Sequence, residues 1–340
     1  MTTSIKDVAA RAGVSVGTVS NVLNSPDKVA ASTVERVLSA IRELDYVRND
    51  AARQLRAGNS NTLGLVVPDV RNPFFTDVAR GAEDRAAETG LTVTLGNSDE
   101  NEGRESMYLD LFEQQRVQGM LISPYGEVTA RLRLLRERGI PVVLVDRTSD
   151  DPSLSSVSAD DVAGGRLAVE HLIAQSRRRI AFIGGPLAVR QVADRLEGAR
   201  AAVAAASGVT LEVIEIDATT VVEGRAAGAA IQARAADQRP DGIFAANDLV
   251  SMGLLQSLLM HGTPVAVPDE IAIIGYDDID YAAAAVVPLS SIQQPSALIG
   301  KTAVELLLAE AENPNVEPRQ VVFQPVLVAR ASTDSGSSGP

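Results

Sequence analysis

Apolar positions in the first fifty residues recur at helical spacing rather than in strand-like alternation. Val8, Ala9 and Ala12 mark one face of Ile5–Ala12, and Val19, Val22 and Leu23 mark one face of Val16–Asn24. Gly13-Val14-Ser15 between them reads as a turn, because Gly13 suits a positive φ and Ser15 suits a helix N-cap. Ser32-Thr33-Val34-Glu35 has the form of a capping box, and Val34, Val37, Leu38, Ile41 and Leu44 carry a third helix onward. Three short helices sharing one small core are therefore expected. Spacing alone leaves open a generic helical mini-domain or a helix-turn-helix.

From residue 62 the pattern changes. Short apolar runs occupy 63–67, 91–95, 119–122, 142–145, 180–183, 211–216, 242–245 and 271–274, and nearly every gap holds an amphipathic segment of helical length. Such alternation predicts parallel sheets covered by helices on both faces. The run is too long for one compact sheet, and a charge-rich break near 146–161 divides it. The fold class expected is a small all-α head plus an α/β core of two parallel-sheet subdomains. The tail 332–340 is rich in Ser and Gly and reads as disordered.

Composition narrows the chemistry. The 340 residues contain no Cys and two His, His171 and His261, so thiolate chemistry and Cys-ligated metal sites are excluded. Histidine-based catalysis has little material, and both histidines read as structural. No G-x-G-x-x-G follows a strand, no Walker-type phosphate loop occurs, and Gly184-Gly185-Pro186 is too generic to count as one. The expectation is a binding protein rather than an enzyme, with no metal and no cofactor. A polar start and the lack of an apolar run long enough for a membrane span point to the cytoplasm. The net charge of −13 is uneven: residues 1–60 carry 8 Lys/Arg against 6 Asp/Glu, so the acidity belongs to the larger part. A basic head can still bind phosphates, because its field acts over a Debye length of ~8–10 Å.

The run from Ile5-Lys6-Asp7-Val8-Ala9 through Gly13-Val14-Ser15-Val16-Gly17-Thr18-Val19-Ser20-Asn21-Val22-Leu23-Asn24 closely resembles the head of the LacI/GalR transcriptional regulators. The resemblance continues through Leu44-Asp45-Tyr46-Val47-Arg48-Asn49, Ala52-Arg53-Gln54-Leu55-Arg56, Gly64-Leu65-Val66-Val67-Pro68-Asp69 and Asn72-Pro73-Phe74-Phe75. It reaches Ile274-Gly275-Tyr276-Asp277-Asp278. It implies a type I periplasmic-binding-protein-like core, with crossings between its subdomains near 160, 290 and 320. The implied divisions are a DNA-binding domain at 1–48, a hinge helix and linker at 49–61, and an effector-binding and dimerisation domain at 62–331. Within the last, one subdomain takes about 62–160 and 291–319, the other about 161–290 and 320–331.

The resemblance also implies the contacts. Val16 and Gly17 fall at base-reading positions with Asn21 beside them, while Ser15, Thr18, Ser20 and Asn24 complete the face toward operator DNA. This head departs from many relatives, since Val16 and Gly17 offer no side-chain hydrogen bond to a base. In the hinge, Asn49, Ala52 and Leu55 match DNA contacts, with Leu55 at the position of an apolar minor-groove wedge or, alternatively, an ordinary linker leucine. Arg48 stands where a proline is common.

For a small-molecule effector, residues at the carboxyl ends of strands are the candidates: Asp69, Asp146, Asn247, Asp248 and Asp277. Arg195 matches an effector-binding arginine, and Phe75 a wall residue. Asn247 and Asp277 equally suit capping or turn chemistry, and Phe75 equally suits the core. A secreted binding protein would share the core, but the head argues against it. The expected assembly is a homodimer and no more, because no leucine heptad follows Arg330. The leucines at 306–308 read as packing on a sheet.

Overall fold

The computed structural model describes residues 3–46, 60–260, 262–313 and 315–334. The chain divides into two compact units, 1–60 and 61–340. Asn49, Ala52, Leu55 and His261 lie outside the described residues, as does the tail from 335.

In the first unit, α1 (Ile5–Ala12), α2 (Val16–Asn24) and α3 (Ala31–Glu43) surround a core of Val8, Ala9, Ala12, Val19, Val22, Val37 and Ala40. Gly13 ends α1 at φ +63°, the left-handed conformation that lets the Val14 N–H bond back to Ala9 O at 3.0 Å. Ser15 Oγ then accepts from Thr18 N at 3.1 Å and starts α2. The capping box expected at Ser32 is not formed: α3 is capped at Ala30 with no side-chain bond. The turn at Pro26–Lys28 and extended Val29 bring the chain into α3 two residues earlier, so Ser32 already lies inside the helix. An Asp7 carboxylate closes the box at α1 instead, accepting from Ser4 N at 2.8 Å.

The second unit holds two six-stranded sheets. The first contains β1 (Thr62–Val67), β2 (Thr92–Asn97), β3 (Gly119–Ile122), β4 (Val142–Val145) and β5 (Ser155–Ala159). The second contains β6 (Arg179–Gly184), β7 (Thr210–Glu215), β8 (Gly242–Ala245), β9 (Ala272–Asp277) and β10 (Ser290–Gln293). β11 (Gln320–Phe323) closes the first sheet and β12 (Val326–Val328) the second, in the orders β11-β5-β4-β3-β1-β2 and β12-β10-β9-β8-β6-β7.

Helices cover both faces. In the first half α4 (Pro73–Ala87) and α12 (Ser296–Glu312) share one face, with Val78, Ile299, Val304 and Leu307 in its core. The other face packs Leu109 and Phe112 of α5 (Glu102–Gln114) with Leu132 and Leu135 of α6 (Thr129–Glu137). In the second half α7 (Asp161–Ala174) pairs with α8 (Arg190–Ala204), and α9 (Val221–Gln232) with α10 (Asp248–Met260). A short α11 (Asp280–Ala284) follows β9. Buried on both faces, the central strands carry continuous apolar runs, which made them legible.

Four readings of the larger unit need correction. The polar break at 146–161 contains β5, whose Ser155, Ser156 and Ser158 are buried; their backbones bond into the sheet, so apolar patterning missed them. The second sheet is mixed, since β12 runs antiparallel to β10. Residues 291–293 belong to the second sheet and 320–323 to the first, so the third crossing follows β11. Finally, Ser332 and Thr333 are fully buried rather than disordered. Ser332 Oγ donates to Ile273 O at 2.6 Å and accepts from Ser290 N at 2.7 Å, while Thr333 Oγ1 bonds His171 Nε2 at 2.7 Å.

That anchor fills donors and acceptors at the entry of β9 and β10. Ser332→Ala leaves both buried backbone groups without their partner, and urea melts should show a loss of about 1–3 kcal/mol. An unchanged midpoint would mean that the sheet does not depend on the anchor.

Candidate functional site

Two surfaces gather polar groups that the cores do not use. On the first unit, α2 turns Val19 and Val22 inward, which leaves Val16, Gly17 and Asn21 exposed on the opposite side. The Ser15 and Thr18 hydroxyls lie 2.9 Å apart at its start, and at its end Asn24 Nδ2 donates to Ser20 O at 2.9 Å. The helix thus presents a flat face of short side chains without a charge on it.

The second surface is the cleft between the two sheets of the larger unit, where strand ends meet. β4 runs into Asp146 at φ +58° and β9 ends at Asp277 at φ +96°, conformations that non-glycine residues adopt at a cost. Between them sits Arg195 of α8. Its Nε donates to Asp161 Oδ1 at 2.8 Å, its Nη1 to Ala246 O at 2.7 Å, and its Nη2 lies 3.8 Å from Asp277 Oδ1. The guanidinium carbon stands 3.7 Å over the centre of the Tyr276 ring. α8 reaches this position because Gly165 of α7 has no side chain: a Cβ there would lie 2.0 Å from Arg195 O.

Two amides span the cleft. Asn72 caps α4 in the first half through Oδ1, which accepts from Phe74 N, and its Nδ2 donates to Asp277 Oδ2 at 3.2 Å. Gln191 of α8 donates to Asp146 O at 2.7 Å and to Asp146 Oδ2 at 3.2 Å. Gln294, where the chain crosses between halves, donates to Asp277 Oδ1 at 2.9 Å. Arg190 and Asp150 form an ion pair nearer the surface.

Electrostatics follow from burial. It pushes Asp146 well above the ordinary carboxylate range, with Asp161 and Asp277 adding to the effect and Arg195 opposing it. Burial also raises Asp277, against Arg195 and the amides of Asn72 and Gln294. For Arg195 burial works to lower the value, but Asp161, Asp277 and Asp146 together raise it.

Asp146, Arg195 and Asp277 of the expected set are therefore brought together. Asn247 lies beside them, but its Oδ1 caps α10 at Val250 N and its Nδ2 donates to Thr219 O. Asp69 holds Arg71 Nε through both carboxylate oxygens, at 2.9 and 3.0 Å. Phe75 is buried edge-on against Phe74 in the first core. The reading of strand ends missed Asp161, Gln191, Tyr276 and Gln294. It missed Asn72 as well, although Asn before Pro is a capping signal, and no periodic or charge signal marks a single glutamine. Among the described residues no carboxylate or histidine group is placed to hold a metal, and no helix is long and apolar enough to cross a membrane.

The profile described as bacterial regulatory proteins, lacI family, matches residues 4–49, and that of a periplasmic binding protein-like domain matches 169–333. The HTH-type transcriptional repressor PurR of Photobacterium profundum is 34% identical over 335 residues, 97% of this chain and 98% of that protein. The chain belongs to the LacI family. The ribose operon repressor of Bacillus subtilis is 38% identical over 306 residues, covering 90% of each chain. Among solved structures, a lac repressor dimer bound to operator and the anti-inducer ONPF aligns with TM-score 0.84 at 25% identity, over 98% of this chain and 99% of that one. A LacI family regulator from Enterococcus faecium with bound ribose aligns with TM-score 0.73 at 28% identity, over 80% of this chain and 98% of that one. The LacI family assignment accounts for both surfaces at once: an exposed helix face on the head and a polar cleft in the body.

The raised carboxylates set a pH dependence. The native state holds protons that the unfolded chain releases, so their stabilisation is complete below about pH 4 and is lost as pH rises through the native values. Asp146→Asn should remove part of this decline and raise the melting temperature at pH 7.5 by about 2–4 °C. A variant whose melting temperature falls in parallel with the parent from pH 5 to 8 would contradict the assignment.

Proposed function

We propose that this protein is a cytoplasmic transcriptional repressor that binds a palindromic operator as a homodimer, under control of a small effector in the cleft. The observation that carries the DNA half is the exposed face of α2, where Val16, Gly17 and Asn21 are free to meet base edges. Val16 packs on a thymine methyl and Asn21 pairs with adenine, while Ser15, Thr18, Ser20 and Asn24 fix register on phosphates. Asn49, Ala52 and Leu55 of the hinge segment complete the contact, with Leu55 as the minor-groove wedge. Two heads related by a two-fold axis read two half-sites, and an isologous contact between the bodies supplies that axis.

The cleft supplies control. Asp146, Arg195 and Asp277, assisted by Asn247, Asp69 and Phe75 at its margins, take a hydroxyl-rich molecule such as a sugar or nucleoside. The names of the ribose operon repressors and the ribose-bound neighbour support that class. Catalysis has no part in this reading. The ligand favours one arrangement of the two halves, and that preference changes the spacing of the paired hinges and hence operator affinity.

Site selection from random duplexes should recover an inverted repeat, with affinity falling steeply as salt rises. Asn21→Ala should lower the preference for that site over random DNA by about 10-fold or more. Recovery of no repeat would defeat the repressor reading. For control, Asp277→Asn should weaken effector binding by roughly 10- to 100-fold in calorimetry while the protein stays folded. Parent-like affinity would place the ligand elsewhere.

A further inference from the structure

We infer that the cleft selects its ligand by charge: it takes an uncharged or cationic, hydrogen-bond-donating molecule and refuses the phosphate ester of the same compound. This rests on the reading of the cleft as the effector site and specifies what that site admits. Three carboxylates, Asp146, Asp161 and Asp277, face one guanidinium, Arg195, and all four side chains belong to residues less than a tenth exposed. Behind Asp277 stands a further buried carboxylate, Asp248, held by Ser291 Oγ at 2.7 Å and Ile279 N at 2.9 Å.

The arginines on neighbouring elements are engaged elsewhere. Arg71 is bound to Asp69 and Asp99, Arg190 to Asp150 and Asp194, and Arg330 to Asp278. Arg147, next to Asp146 in the chain, reaches Gly126 O at 3.2 Å and Glu127 at 3.6 Å. The cleft therefore has no cation left over for an anionic ligand, whatever protons Asp146 and Asp277 retain, in a poorly screened setting where an unmatched or like charge costs far more than in water.

Besides the Tyr276 hydroxyl, which can donate or accept, two unsatisfied oxygens bear on the choice. Asp146 Oδ1 and Gln294 Oε1 are buried with no hydrogen-bond partner. The Gln294 amide oxygen only accepts and calls for a donor from the ligand, while Asp146 Oδ1 is matched by a ligand hydroxyl whether the carboxyl is ionised or protonated. Hydroxyl and amino groups supply donors. A phosphoryl group at neutral pH brings about two negative charges and acceptor oxygens, which leave Gln294 Oε1 unsatisfied and meet no free cation.

The test is isothermal titration calorimetry of the full chain at pH 7.5 with matched pairs: D-ribose and D-ribose 5-phosphate, D-glucose and D-glucose 6-phosphate, adenosine and its 5′-monophosphate. The member that binds should be the unphosphorylated one, with its ester at least about 100-fold weaker. Asp161→Asn and Asp277→Asn, checked for folding by thermal melts, should each free charge on Arg195 and narrow that ratio by about 10-fold. Tighter binding of an ester, or an unchanged ratio in both variants, overturns the charge selection while leaving an effector site in place. Binding by no member of any pair defeats the sugar-or-nucleoside reading itself, and this inference with it.

Discussion

The buried Arg195 guanidinium is the interaction on which the arrangement of the body depends. A cation removed from water at this depth is tolerable only when its donors are satisfied and its charge is met. Arg195 reaches both conditions by drawing together the start of α7 through Asp161, the end of β8 through Ala246 O, and the end of β9 through the Tyr276 ring and Asp277. Those elements are distant in sequence, and the close packing of α7 on α8 at Gly165 is what lets the side chain reach them. Loss of Arg195 would strand several carboxylates at once.

The two halves of the body meet through amides rather than through charge alone. Asn72 and Gln191 each link one half to a carboxylate on the other half's side of the cleft, and each is neutral. Neutral donors satisfy a carboxyl group without adding a counter-charge, so they close the cleft without supplying a cation of their own. They are also easy to replace. A ligand hydroxyl occupying the same acceptor exchanges one hydrogen bond for another, a small net change that suits a switch between two arrangements.

The head works by a different economy. Its core is small, with Val, Ala and little else, and the helices are held by a left-handed Gly13 turn and two terminal caps as much as by burial. Short side chains on α2 permit close approach of the helix to a groove. The same shortness leaves Val16 and Gly17 without a side-chain hydrogen bond to offer on that face.

The sequence by itself determined the elements and their order. The apolar runs of β1, β3, β4, β6 and β8 and the helical faces of α1 and α2 are local periodicities, and local periodicity survives without the partner that buries it. It also singled out Asp146 and Asp277 by strand-end position and Arg195 and Asp277 by family resemblance, three residues that the fold brings to one cleft. Tertiary structure alone decided the rest. β5 is polar yet buried, since its place between β4 and β11 is set by backbone pairing rather than by side chains. The entry of α3 follows the turn before it and not the hydroxyl at Ser32. Ser332 and Thr333, polar residues in a Ser/Gly-rich stretch, are ordered because the starts of β9 and β10 offer unsatisfied backbone groups at the right distance. Gln191 and Gln294 join the cleft for the same reason: a neutral amide declares its role only when the fold places a carboxylate opposite it.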